Sequence, residues 1–147
     1  MRKALILVLV LVVSALVVQG CGHGSGNFPK STLVNELVYF DSDKYNLKPE
    51  ALRVLDYKVS YLKHFPGQKV FVVGHTDKLA SDKYNLDLGR HRAEEIQRYL
   101  VNNGINPKRI VLMTEGERRP ADTGNSKAAY AKNRRAEFFI IGVNTSN

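Results

Sequence analysis

Residues 70–100 read VFVVGHTDKLASDKYNLDLGRHRAEEIQRYL, and this stretch decides the fold. Val70-Phe71-Val72-Val73 is a β-branched and aromatic run, the pattern of a buried strand. Gly74 begins its exit. Ser81 to Leu86 is polar, and Asn85 or Asp87 is a candidate cap for the next helix. Leu88, Ala93, Ile96 and Leu100 recur at helical spacing, so one face of that helix is apolar. Asn103-Gly104 closes it, because Gly accepts the left-handed backbone of a helix end without a side-chain clash.

The same logic extends outward. Upstream, Leu37-Val38-Tyr39-Phe40 is a short strand, ended by the turn formers Asp41-Ser42-Asp43. Pro49 suits the first turn of a helix whose apolar face is Leu52, Leu55, Val59 and Leu62, and Pro66-Gly67 stops it. Downstream, Ile110 to Met113 is a third strand, 116–127 a polar loop, 128–132 a helical turn and 136–143 a last strand. The order is β-α-β-α-β-loop-β. Two right-handed crossovers are expected to place parallel strands side by side. The last strand, arriving after a loop, is expected to join antiparallel. The expected fold class is α/β, an α+β two-layer sandwich with a mixed four-stranded sheet and both helices on one face. Neither internal repeats nor heptads are present.

The chain has 147 residues, 44% apolar and 24% charged, with no Trp, which suits one globular domain. Met1-Arg2-Lys3 is a basic start, and Ala4 to Val18 is apolar except for Ser14. That is a secretory leader, shorter than the about 20 residues a membrane span needs. It ends at Val18-Gln19-Gly20-Cys21, which resembles a lipobox with Cys21 as the acylated residue. Cys21 is the only Cys, so no intramolecular disulfide exists, and acylation removes an exposed thiol from an oxidising compartment. The expected division is 1–20 signal peptide, 21–36 acylated tether and 37–143 domain. From Gly22 to Glu36 the tether spans roughly 20 Å r.m.s. and at most about 50 Å extended. Net charge is +8, which favours anionic surfaces. Nucleic acid is excluded as a partner by the export leader.

Several motifs admit competing chemistry. Asp41-Ser42-Asp43 resembles the start of an aspartyl-phosphate phosphatase or of a calcium loop, yet Tyr45 and Asn46 stand where the calcium loop wants an oxygen ligand and Gly. A turn whose Asp side chains bond local N–H groups is the simpler reading. His75, Asp77 and His91 match a zinc set in type, but Arg90 and Arg92 flank His91 and oppose a cation. No Ser stands on a nucleophile elbow. No metal, cofactor or catalytic residue is therefore expected. Asp77 at a strand exit and Arg92 in the next helix suit each other better. The Arg fork takes a carboxylate and Asp holds an ammonium, so a small zwitterion fits between them. A plain structural salt bridge explains the pair equally well.

Taken together, Val38 through Tyr45, Gly74-His75-Thr76-Asp77, Tyr84-Asn85, Leu88-Gly89, Arg92-Ala93, Ala128-Ala129-Tyr130 and Asn133-Arg134-Arg135 resemble the OmpA-like C-terminal domain family. The nearest likeness is to its peptidoglycan-associated lipoprotein (Pal) branch, over about Leu37 to Val143. The resemblance implies a non-enzymatic domain that binds the peptidoglycan stem through diaminopimelate. It implies Asp77 and Arg92 as the main clamp, with Asp43, Asn85 and Leu88 lining the pocket. It implies Arg134 and Arg135 as scaffold or rim charge, and His75 as structural. It further implies an outer-membrane lipid anchor at Cys21, a domain facing the periplasm, and periplasmic Tol proteins as partners in envelope integrity and cell division. Gly22 after Cys21 resembles lipoproteins sorted to the outer membrane. The alternative is an OmpA-like subunit of a larger envelope machine, stator-like or secretion-linked.

Overall fold

Alternation along the strands sets which sheet face is covered. In the computed structural model, which describes residues 37–141, β1 is Val38–Tyr39, β2 Lys69–His75, β3 Ile110–Gly116 and β4 Arg135–Ile141. Helix α1 is Pro49–His64, α2 Asp82–Asn102 and α3 Lys127–Asn133, with a 3-10 turn at Pro107–Arg109. Val38, Val70, Val72, Ala136 and Phe138 point to one face and are buried with Leu55, Leu62, Ile96 and Leu100 of the two long helices. That is the expected two-layer arrangement of a mixed four-stranded sheet and helices. The other face leaves Met113, Phe139 and Ile141 substantially exposed. The expected leader, Cys21, tether and the end of the last strand at Val143 lie outside the described residues. Among the described residues, no helix is long and apolar enough to cross a membrane.

Strand order is β1-β4-β2-β3. β2 and β3 are parallel neighbours, as expected of a crossover. β1 and β2 are not neighbours, because β4 lies between them, antiparallel to both. The physical reason is side-chain burial: β4 carries Ala136 and Phe138, both fully buried, and gains a full seven-residue partner in β2. Two-residue β1 offers too little ladder to hold a central position and takes the edge.

Local signals explain the helices, with two corrections. The α2 cap is Ser81, whose side chain accepts from the Tyr84 N–H, so Asn85 and Asp87 lie inside the helix. In α1, Ala51 is buried and Leu52 is exposed, so the apolar face is rotated from the expected one. Gly104 does end α2 with positive φ, as its position predicts.

One contact fixes where α2 sits. At Gly74 a Cβ would lie 1.8 Å from the Gly89 carbonyl oxygen, and at Gly89 one would lie 2.4 Å from Thr114 Oγ1. The strand and helix backbones therefore touch. This brings the exit of β2 against the early turns of α2.

Candidate functional site

The exits of β1 and β2, the start of α2 and the exit of β3 meet at one end of the sheet. After β1, Asp41 to Lys44 forms a turn closed by the Lys44 N–H to the Asp41 carbonyl. Asp43 holds φ at +56°, the one non-glycine with positive φ among the described residues. Asp tolerates that backbone better than most residues. Its Oδ1 accepts from the Tyr84 hydroxyl. Asp41 Oδ1 accepts from Lys48 Nζ at 3.2 Å. These Asp side chains thus reach other elements rather than local N–H groups.

Asp77 follows β2 by two residues. Its Oδ1 accepts from the Leu79 N–H at 3.2 Å, and its Oδ2 pairs with Arg134 Nη1 at 3.1 Å. Arg134 also donates from Nε to the Phe40 carbonyl. Asn85, almost wholly buried, donates from Nδ2 to the Ala80 carbonyl at 3.3 Å and to Glu117 Oε2 at 2.6 Å. A forked pair between Arg118 and Asp82, at 3.0 and 2.8 Å, staples the loop after β3 to the first turn of α2. Arg118 is the first cause of the lowered Asp82 pKa, and the start of α2 favours the same charge.

These elements enclose an open pocket of about 440 Å³ lined by Asp43, Asp77, Leu79, Tyr84, Asn85 and Leu88, among others. Four residues singled out from the sequence, Asp43, Asp77, Asn85 and Leu88, thus share one wall system. Arg92 stands behind it. Its guanidinium is fully buried and donates from Nε to Lys44 O at 2.9 Å, Nη1 to His75 O at 2.7 Å and Nη2 to Asp41 O at 3.1 Å. It also lies over the Phe40 ring, 5.0 Å from the centroid. Burial lowers its pKa to about 10, opposed mainly by the neighbouring Asp77 charge, so it stays cationic at neutral pH.

Two side chains gain weight over their sequence reading. Arg134, expected as scaffold or rim charge, is the ion-pair partner of Asp77, 57 residues away in sequence. Glu117 is the residue that sequence reasoning misses; its only signal there is a carboxylate in a polar loop. Asn133 and Arg135 hold the loop before α3: Asn133 bonds the Asp122 backbone both ways, and Arg135, which also pairs with Glu137 in β4, donates from Nη2 to the Arg119 carbonyl at 3.3 Å. His91 is exposed beside Glu94, away from His75. Among the described residues no group of three or more His, Cys, Asp or Glu is placed to hold a metal ion.

His75 itself is buried in the sheet, and neither ring nitrogen has a hydrogen-bond partner among the described residues. Burial first, then the Arg135 charge, lowers its pKa from 6.5 to about 4. The unfolded chain therefore binds more protons between those values, so stability falls as pH drops through that window and levels below it. Urea midpoints are expected to decline from pH 6.5 to pH 4, and to decline less in His75→Leu. Parallel declines in the two proteins would refute this.

The sequence profile of the OmpA family matches residues 39–134. The peptidoglycan-associated lipoprotein of Pseudomonas aeruginosa is 44% identical over 100 residues, which cover 68% of this chain and 59% of that protein. The chain thus spans about three fifths of the length of such curated relatives. The crystal structure of the peptidoglycan-associated lipoprotein from Burkholderia pseudomallei superposes with a TM-score of 0.70 at 32% identity, covering 71% of this chain and 89% of that one. The C-terminal domain of Helicobacter pylori MotB superposes with a TM-score of 0.68 at 20% identity, covering 74% and 86%, a likeness of fold.

Proposed function

The chain belongs to the OmpA family, and from that premise we propose that it is a non-catalytic tether between membrane and cell wall. Lipid at Cys21 holds it in the outer membrane, with the domain in the periplasm. The domain binds the peptide stem of peptidoglycan through the side-chain end of diaminopimelate. One observation carries this reading: Asp43 in the turn after β1, Asp77 in the loop after β2, and Asn85 and Leu88 in α2 line one open pocket. Two carboxylates there suit an ammonium, and Leu88 gives an apolar floor for the aliphatic chain. Arg92 acts from behind, holding the Asp41–Lys44 turn and the β2 exit in place and setting positive charge beneath both carboxylates. Relatives named for association with peptidoglycan support the same reading. Tol proteins in the periplasm are its proposed protein partners. The alternative, a subunit of a larger envelope machine, draws only on a likeness of fold to MotB.

The full chain is expected to incorporate labelled palmitate in cells and to sediment with purified sacculi. Cys21→Ser should lose the label and keep sacculus binding. Asp77→Ala should keep the label and bind sacculi about ten- to a hundredfold more weakly, the scale of one lost charge-assisted contact of about 1.5–3 kcal/mol. Asp77→Ala binding at the parent level would remove the pocket assignment.

A further inference from the structure

We propose that the end of the domain where β2 and β3 begin is a docking surface for an anionic phospholipid bilayer, and that docking there turns the pocket away from the membrane. The inference rests on the lipid anchor read at Cys21 and deepens it. The sheet has two unlike ends. β1, β2 and β3 finish at the pocket end, beside Asp43, Asp77 and Glu117. β2 and β3 start, and β4 finishes, at the other end. There the stretches 63–69 and 103–109 carry Lys63, Lys69, Lys108 and Arg109 and no Asp or Glu. All three lysines are exposed. The two stretches form one surface. Arg109 donates to the Gln68 and Phe65 carbonyls, both at 2.7 Å. Lys63 lies beside Gly104, where an added Cβ would stand 3.8 Å from its Nζ.

The open sheet face continues from this end. Lys69 stands opposite Ile141, and Phe71 opposite both Phe139 and Val111. Val111, Met113, Phe139 and Ile141 are between 36% and 57% exposed. The acids of that face, Glu115 and Glu137, lie toward the pocket end and pair with Arg119 and Arg135. Cations beside an apolar strip suit the boundary between lipid headgroups and acyl chains. The tether points the same way. Val38 stands opposite Ala136 and Tyr39 opposite Arg135, so the chain enters β1 from the side on which β4 ends. A tether over 22–36 keeps this end within at most about 50 Å of the anchor, so even a weak contact is populated. Seven-residue strands then hold the pocket about 20 Å farther out. A second copy of the chain fits less well. Four side chains about half exposed offer on the order of 400 Å², against about 800 Å² per partner in a stable dimer.

Lysine acetylation read by mass spectrometry separates the outcomes. The chain purified from cells in detergent is reconstituted into vesicles of phosphatidylethanolamine with about a quarter phosphatidylglycerol, and into vesicles of phosphatidylcholine. At low salt, Lys63, Lys69 and Lys108 are expected to react about tenfold more slowly on the anionic vesicles, and high salt to remove the difference. Lys78 and Lys83, exposed at the pocket end, are expected to react alike on both. Each lysine near an anionic surface contributes about fivefold in affinity, so the Lys63→Gln, Lys108→Gln double variant is expected to dock about 25-fold more weakly. Its Lys69 should then react within about twofold of the phosphatidylcholine rate. Equal rates on vesicles that both hold the chain overturn the docking and leave the anchor standing. Slowing of Lys78 and Lys83 as well overturns the orientation. Slowing on phosphatidylcholine that grows with protein density gives the surface to a second copy and overturns the lipid assignment. A chain that floats with neither vesicle overturns both this inference and the anchor on which it rests.

Discussion

Gly74→Ala is expected to abolish the cooperative fold. The added methyl would sit 1.8 Å from the Gly89 carbonyl oxygen and 2.6 Å from its carbon. Both are backbone atoms of α2, so no side-chain rotation relieves the overlap. The strand and helix must move apart, and α2 packs on β2 and β3 along the core that contains Ile96 and Leu100. Losing that contact is expected to cost more than about 4 kcal/mol, the range reserved for severe core disruption. Total stability of a domain is about 5–15 kcal/mol, so little would remain. Gly89→Ala is the informative partner. Its methyl meets a Thr114 hydroxyl at 2.4 Å and the Gly74 oxygen at 2.9 Å. The Thr114 side chain can give way and the Gly74 backbone has only to shift slightly, so about 3 kcal/mol is expected, less than at Gly74. Thermal unfolding followed by circular dichroism checks both. A Gly74→Ala protein that melts within a few degrees of the parent would disprove the backbone contact as the element that seats α2.

That contact illustrates what the chain spells out and what it hides. Periodicity alone locates the buried face of α2, since Ala93, Ile96 and Leu100 are fully buried. Gly104 is legible as the helix end for a similar reason: the local backbone demand is written in one residue. The α2 cap is harder, because Ser81, Asn85 and Asp87 are all competent caps and only the strand-to-helix geometry selects Ser81. In α1, Ala51 and Leu52 are neighbours, and hydrophobicity favours the larger one. The fold instead buries the smaller. Strand order is not local at all. β4 is the last strand, and its central place depends on pairing with β1 and β2 at once. The site divides in the same way. Residue type and position in the chain single out Asp77, while Asn85 and Leu88 enter only through the family resemblance. The Asp77–Arg134 pair and the Asn85–Glu117 bond join residues 57 and 32 apart, and no spacing rule reaches across that distance.

Arg92 carries the second large effect, and its position makes two roles separable. Taken as a pair, Asp77 and Arg92 suggest equal halves of a clamp. In the fold, Arg92 is fully buried, and it joins the Asp41–Lys44 turn to the end of β2 through three carbonyls. Arg92→Ala removes the side-chain donor from three carbonyls and one of two guanidiniums near Asp77, which keeps its pair with Arg134. Each buried carbonyl left unsatisfied costs about 1–3 kcal/mol, so the total is expected to reach about 3–5 kcal/mol. The turn that presents Asp43 at positive φ would lose its tie at both Asp41 and Lys44. Stability and sacculus binding are therefore expected to fall together in Arg92→Ala. In Asp77→Ala, binding is expected to fall with a smaller loss of stability, because only the Leu79 and Arg134 contacts are removed. Arg92→Lys sharpens the distinction. It keeps the charge but replaces a planar fork with a single ammonium that cannot span three divergent carbonyls. If charge beneath the pocket were the whole role, Arg92→Lys would match the parent in both measurements. The bonding geometry predicts otherwise: a urea midpoint between those of the parent and Arg92→Ala, with sacculus binding reduced in step.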